Sequence, residues 1–181
     1  LGQPVRVVYG ESLPAALRDK ADGRVDLVVG KHSVVLFDAA RAGMAVTPLA
    51  SLRGADGGTT QTGLLVVRGG DAAQKLADLR GYRVLFGPVE AEEKHSAALA
   101  LLQQGGLPVP EPPETFPTCS KAAQALLELD AAVPAAAMLS SYARPLLEGC
   151  GTIDPGALRV VAQTAPVAFV AAFATDRVPA E

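Results

Sequence analysis

Only two histidines occur in this chain, and both sit inside the same tripeptide. Lys31-His32-Ser33 stands in "VVGKHSVVLF" (28–37), and Lys94-His95-Ser96 in "EEKHSAALAL" (92–101). Imidazole is the side chain whose charge changes near neutral pH. The serines bring hydroxyl donors and the lysines positive charge. Each tripeptide follows an apolar run and opens a helix-like pattern, so both fall at strand-to-helix junctions. That is the edge at which open α/β sheets hold ligands, and the free N–H groups of a helix start favour an anion there. The residue types point to a small-anion site shared by the two junctions. A plainer account stays open, in which the serines cap helices and the histidines decorate loops.

Other polar residues stand at expected strand ends. Glu11-Ser12 precedes a helix, and "SSY" (Ser140, Ser141, Tyr142) closes a strand with Tyr142 as a candidate wall ring. Thr60, Gln61 and Thr62 in "TTQTG" (59–63) add hydroxyls and an amide. For each of these, capping or ordinary strand-end polarity explains the same residues. His32, His95 and Glu93 form an alternative donor set for a borderline metal, although no His pair at i, i+4 supports it. No G-x-S-x-G elbow, Walker loop, G-x-G-x-x-G or H-E-x-x-H is present. No reaction and no cofactor is therefore read from the chain, and the expectation is a binder, not an enzyme.

Composition limits the partners. A net charge of −3 leaves no basic stripe to neutralise phosphates. Three Tyr, five Phe and no Trp give little for bases to stack on. No apolar run approaches the ~20 residues of a membrane span. No charged segment followed by an apolar one opens the chain; "LGQPVRVVYG" enters an expected strand at once. Cys119 and Cys150 match no zinc spacing and are compatible with one disulfide without requiring it.

The elements that must position these residues alternate. "PVRVVYG" (4–10) reads as a strand, "SLPAALRDKADG" (12–23) as a helix capped by Ser12 and stopped at Gly23, and "VDLVVG" (25–30) as a buried parallel strand. A helix over 33–43 and a strand over 44–52 follow. A turn at 53–60 leads to a strand from 62, a short helix over 73–81, a strand over 82–88 and a helix over 91–106. A helix from Cys119, a strand ending in "SSYA", and the runs "LRVVAQT" and "VAFVAAFA" complete the set. The class is α/β with a mostly parallel sheet. The Gly/Thr-rich stretch at 54–62 reads either as a crossover between two lobes or as a surface turn.

"VDLVVGKHSVV", then "TGLLVVRGGDAAQKLADLRGYRVLFGP", then "EKHSAALALLQQGGLP" resemble the periplasmic phosphonate-binding protein family. That family belongs to a wider group of phosphonate, sulfonate and transferrin-like type-2 solute-binding proteins. "LADLRGYRVLFGP" (76–88) carries the strongest likeness, and "SKAAQALLELDAAVPAAAMLSSYARPLL" and "VVAQTAPVAFVAAFATDRVP" extend it. Family members begin with a further strand and helix, so the resemblance implies a first lobe incomplete at its N-terminus. Where phosphonate binders usually open the second-lobe helix with small hydroxyl residues, this chain has Glu92-Glu93-Lys94-His95-Ser96.

The resemblance implies a two-lobed type-2 periplasmic-binding-protein-like fold with a ligand cleft between the lobes. Lobe one is expected over 1–60 and 163–181 and lobe two over 61–162, with crossings near 58–68 and 160–170. It further implies a periplasmic or extracytoplasmic solute-binding component of an ABC-type transporter, taking a small oxyanion such as phosphonate, phosphite or phosphate. The partners would be transporter membrane subunits or a sensor partner, with no nucleic acid. His32 and His95 would then face one cleft from different lobes, and Thr60, Gln61 and Thr62 would lie at the lobe junction. An oxidising compartment would favour a Cys119–Cys150 bridge.

Overall fold

The computed structural model describes residues 4–19, 24–54 and 57–178. The chain divides into two compact units, residues 1–59 with 168–181, and residues 60–167.

The first unit contains α1 (Leu13–Asp19), β1 (Leu27–Lys31), α2 (His32–Arg41) and β2 (Val46–Ser51), joined by the late strand β10 (Val170–Thr175). β10 lies between β1 and β2 and runs antiparallel to both. Phe173 on β10 is fully buried and packs with Val35 of α2 and Ala171, with Val28 and Val46 against them. α2 ends where Gly43 takes φ +65°, a conformation that costs a residue without Cβ nothing. α1 begins at Ser12, whose Oγ accepts from Ala15 N at 3.3 Å. Buried Asp38 of α2 accepts from Leu13 N at 2.9 Å. Two of the helix's first N–H groups are thereby satisfied.

The second unit is built on a five-stranded sheet in the order β6-β5-β7-β4-β8. Its strands are β4 (Gly63–Arg68), β5 (Arg83–Phe86), β6 (Glu114–Thr115), β7 (Ala135–Ser140) and β8 (Leu158–Gln163). Alternation on β4 serves two cores. Leu65 and Val67 face Leu102 and Ala98 of α3 (Ser96–Gln104), whereas Val66 faces Leu126 and Ala123 of α4 (Cys119–Glu128). β7 is buried along its whole length, as a central strand covered on both faces must be. α5 (Ala143–Gly149) packs Leu147 into the second of these cores. Arg68 binds the carbonyls of Leu129, Asp130 and Val133, placing a cation at the C-terminal end of α4. The two-residue strands β3 (Thr60–Gln61) and β9 (Val167–Ala168) pair with each other.

Several expectations are corrected. Residues 4–10 form no strand, because no strand among the described residues pairs with them and an unpaired extended segment has no ladder. β1 is antiparallel to its neighbour and half open, with Leu27 57% and Val29 63% exposed. The large sheet is mixed: β5 is parallel to β6 and β7, but β4 is antiparallel to β7 and β8. The helix expected over 73–81 shrinks to one 3₁₀ turn, Leu76–Leu79. There Asp71 and Asp78 take the N–H groups of Ala73, Gln74 and Lys75 and draw the backbone away from a helical ladder. The helix expected over 91–106 is a 3₁₀ turn, Glu92–Lys94, followed by α3, with a break at His95. The expected stop of α1 at Gly23 lies outside the described residues.

Cys119 and Cys150 are not bridged. Cys119 opens α4 beside Ser140, at the end of β7. Cys150 follows α5, and that seven-residue helix leads the chain away from the end of β7 by about 10 Å. Its thiol instead lies 3.0 Å from Thr152 Oγ1.

Candidate functional site

Strands β5 and β7 end at the carboxyl edge of the second unit's sheet. β5 stops at Phe86, and Gly87 donates its N–H to Lys94 O at 3.0 Å, closing the loop that carries Glu93, Lys94 and His95. Gly87 is required here: a Cβ on it would stand 2.5 Å from Lys94 Cβ and 2.9 Å from its Cε, where the lysine stem runs. β7 stops at Ser140, and α4 starts at Cys119 beneath a Thr118 cap that accepts from Lys121 N at 3.1 Å.

The side chains form a short polar chain. Ser140 Oγ donates to Glu93 Oε1 at 2.6 Å, in a fully buried setting. Cys119 Sγ lies 3.4 Å from Ser140 N and 3.6 Å from Ser140 Oγ. Lys94 Nζ lies 3.6 Å from the same sulfur, with the residue only 6% exposed. An ammonium held this far from water needs negative partners, and a thiol is a weak acceptor. A positive group and the start of a ten-residue helix therefore meet at one thiol.

His95 caps α3 by position and not by its side chain. Its Nδ1 lies 2.9 Å from Gly87 O, and a carbonyl only accepts, so Nδ1 carries the hydrogen. The ring meets Phe86 edge-on at 6.3 Å. Ser96 is the first residue of α3 and exposed, not its cap. Thr62 N donates to Ser141 Oγ at 3.3 Å, Ser141 N donates to Thr62 O at 2.9 Å, and Thr62 Oγ1 accepts from Gln163 Nε2 at 2.8 Å. Gln61 is buried, Thr60 exposed, and Tyr142 exposed at the start of α5.

In the first unit, Lys31 ends β1 and occupies the cap position of α2. His32 N donates to Phe169 O at 2.8 Å, and its ring lies 5.5 Å from Phe173. Ser33 is the second residue of α2 and not its cap, while Ser12 does cap α1. Among the described residues no three His, Cys, Asp or Glu side chains gather as metal ligands would, so nothing favours the set of His32, His95 and Glu93. Sequence reasoning missed Cys119 as a member of the polar chain. It also missed Thr164, which is buried and whose Oγ1 accepts from Gly63 N at 2.8 Å.

A family model described as "ABC transporter, phosphonate, periplasmic substrate-binding protein" matches residues 1–181. The chain belongs to this family. No curated protein matches it by sequence. Among solved structures it is similar to XAC2383 from Xanthomonas citri bound to chloride, at 17% identity and a TM-score of 0.64, covering 91% of this chain and 61% of that one. It is also similar to a binding protein component of an ABC phosphonate transporter from Pseudomonas aeruginosa, at 13% identity and a TM-score of 0.64, covering 92% and 54%. The periplasmic aliphatic sulphonate binding protein of Escherichia coli gives 20% identity and a TM-score of 0.59, covering 90% and 50%. The chain thus spans between half and three fifths of these proteins. At such identities the likeness is one of fold, that of type-2 periplasmic binding proteins. No helix among the described residues is long and apolar enough to cross a membrane.

Proposed function

We propose that this chain is the solute-binding component of an ABC-type transporter, working outside the cytoplasm and taking a small oxyanion such as phosphonate, phosphite or phosphate. Family membership supports the solute-binding role. The observation that carries the oxyanion is the meeting of Lys94 Nζ and the α4 start at Cys119, on the edge where strands β5 and β7 end. A positive group beside a helix N-terminus favours an anion at this edge. Ser140, Ser141, Thr62, His95 and Ser96 belong to the same edge, with Tyr142 as an exposed ring. Lys31, His32 and Ser33 form the corresponding set at the end of β1. The two units act as lobes that exchange the solute with membrane subunits of the transporter.

Titration calorimetry with methylphosphonate, phosphite and phosphate tests this. At least one should give saturable heat at one site per chain. Absence of heat with all three, from folded protein, contradicts the reading.

A further inference from the structure

The two cysteines differ in what surrounds their sulfurs. Cys150 is exposed, and its sulfur meets the Thr152 hydroxyl and the Leu147 carbonyl. Cys119 is half-buried at the first position of α4. Its sulfur accepts from Ser140 N at 3.4 Å and from Lys94 Nζ at 3.6 Å, and lies 3.6 Å from Ser140 Oγ. Lys94 is only 6% exposed, and among the described residues its ammonium finds one hydrogen-bond acceptor, this sulfur. Packing holds the lysine stem on that course. A Cβ on Gly87 would stand 2.5, 3.2 and 2.9 Å from Lys94 Cβ, Cδ and Cε. The carboxylate of the cluster, Glu93, accepts Ser140 Oγ instead. A buried amine is thus aimed at a partly open thiol.

We propose that Cys119 and Lys94 form an oxidation-sensitive pair, in which a hydroperoxide drives a sulfur–nitrogen bond between the two side chains. The sulfur attacks the outer peroxide oxygen and gives its own proton to solvent. An S–O bond forms, the O–O bond breaks, and sulfur loses the two electrons that the peroxide gains. The departing oxygen takes a proton from the Lys94 ammonium and leaves as an alcohol, or as water from hydrogen peroxide. Cys119 is then a sulfenic acid beside a neutral amine. The amine attacks that sulfur, the N–S bond forms, the S–O bond breaks, and the hydroxyl leaves with an amine proton as water. A second thiol usually plays this part, but Cys150 lies beyond α5 and unbridged. The bond makes the Lys94 nitrogen neutral and ties the loop after β5 to the start of α4. On the oxyanion reading above, oxidation would therefore remove the charge that draws the anion. The chemistry of the pair does not rest on that reading.

The test uses the full chain carrying Cys150→Ser, which leaves Cys119 as its one thiol. After hydrogen peroxide the intact mass should fall by two hydrogens, iodoacetamide should no longer label Cys119, and a digest should yield the Lys94 and Cys119 peptides joined. Dithiothreitol should restore both the mass and the labelling. Adding Lys94→Met, which keeps the stem and removes the amine, should abolish the joined peptides and leave a sulfenic acid that dimedone traps. A thiol that stays open to iodoacetamide after peroxide overturns the proposal, as does a gain of oxygen with no loss of hydrogens. The same hydrogen loss in Lys94→Met also overturns it, because another amine would then carry the bond. If Lys94→Met fails to fold, the digest of the Cys150→Ser protein decides. No solute enters these measurements, so their failure is distinct from a failure of the calorimetry above.

Discussion

Ser140 gives its hydroxyl proton to Glu93 Oε1 across 2.6 Å, linking the end of the central strand β7 to the loop that follows β5. Both residues are fully buried. Ser140→Ala would leave a buried carboxylate short of a donor, at a cost of about 1–3 kcal/mol. Urea unfolding should show a lower midpoint with an unchanged slope, since the surface exposed on unfolding stays the same. An unchanged midpoint would mean that water replaces the hydroxyl freely.

Gly63 holds the Glu93 turn against β4, because any Cβ there overlaps the Glu93 carbonyl oxygen. Overpacking against backbone cannot be relieved by a change of rotamer. Gly63→Ala is expected to destabilise by about 1–3 kcal/mol or more. Gly70→Ala, with nothing within 4 Å of its Cβ, serves as the control and should be near neutral in the same melts.

Tyr82 donates its phenol to Asp71 Oδ1 at 2.8 Å, and this bond raises the Tyr82 pKa above its usual value near 10. The stability it contributes is fully present below the unfolded-state pKa of about 10 and is lost as pH rises through the higher folded value. The stability gap between the unaltered protein and Tyr82→Phe should be constant from neutral pH to about 9 and close above about 10. A gap that persists unchanged into strong alkali contradicts the assignment.

Both cysteines are free, and Cys150 is exposed with its thiol pKa lowered by the Thr152 hydroxyl. Thiol titration of unfolded, unreduced protein should find two sulfhydryls per chain. In the folded protein Cys150 should react first, because it is the exposed one of the two and its pKa is lowered. Thr152→Val should slow that reaction at neutral pH. A single slow phase, or no thiol at all, would restore the bridge.

The elements with complete punctuation were legible in the sequence. α4 starts at Cys119 as expected, and α2 has its glycine stop at Gly43. The apolar run before "SSYA" read as a strand, and it forms β7. Strand direction was not legible, because β1 and β4 read as apolar whichever way their neighbours run. The 73–81 segment misled because two aspartates that look like helix-surface residues bond to backbone N–H groups instead. At the site, "EEKHS" read as the opening of one helix. Nothing in its spacing shows that a single 3₁₀ turn carries Glu93 and Lys94 inward while leaving Ser96 outside. The twin tripeptides do open α2 and α3, but the two serines were expected one or two positions too early in their helices.

The oxyanion reading depends most on Lys94. The direct test is calorimetry of Lys94→Met, which keeps the buried stem and removes the charge, with methylphosphonate and phosphate and with the fold checked by circular dichroism. A buried charge-assisted contact to the anion predicts an affinity loss of about 10- to 100-fold with secondary structure retained. A folded Lys94→Met protein that binds these anions as tightly as the unaltered chain would contradict the account.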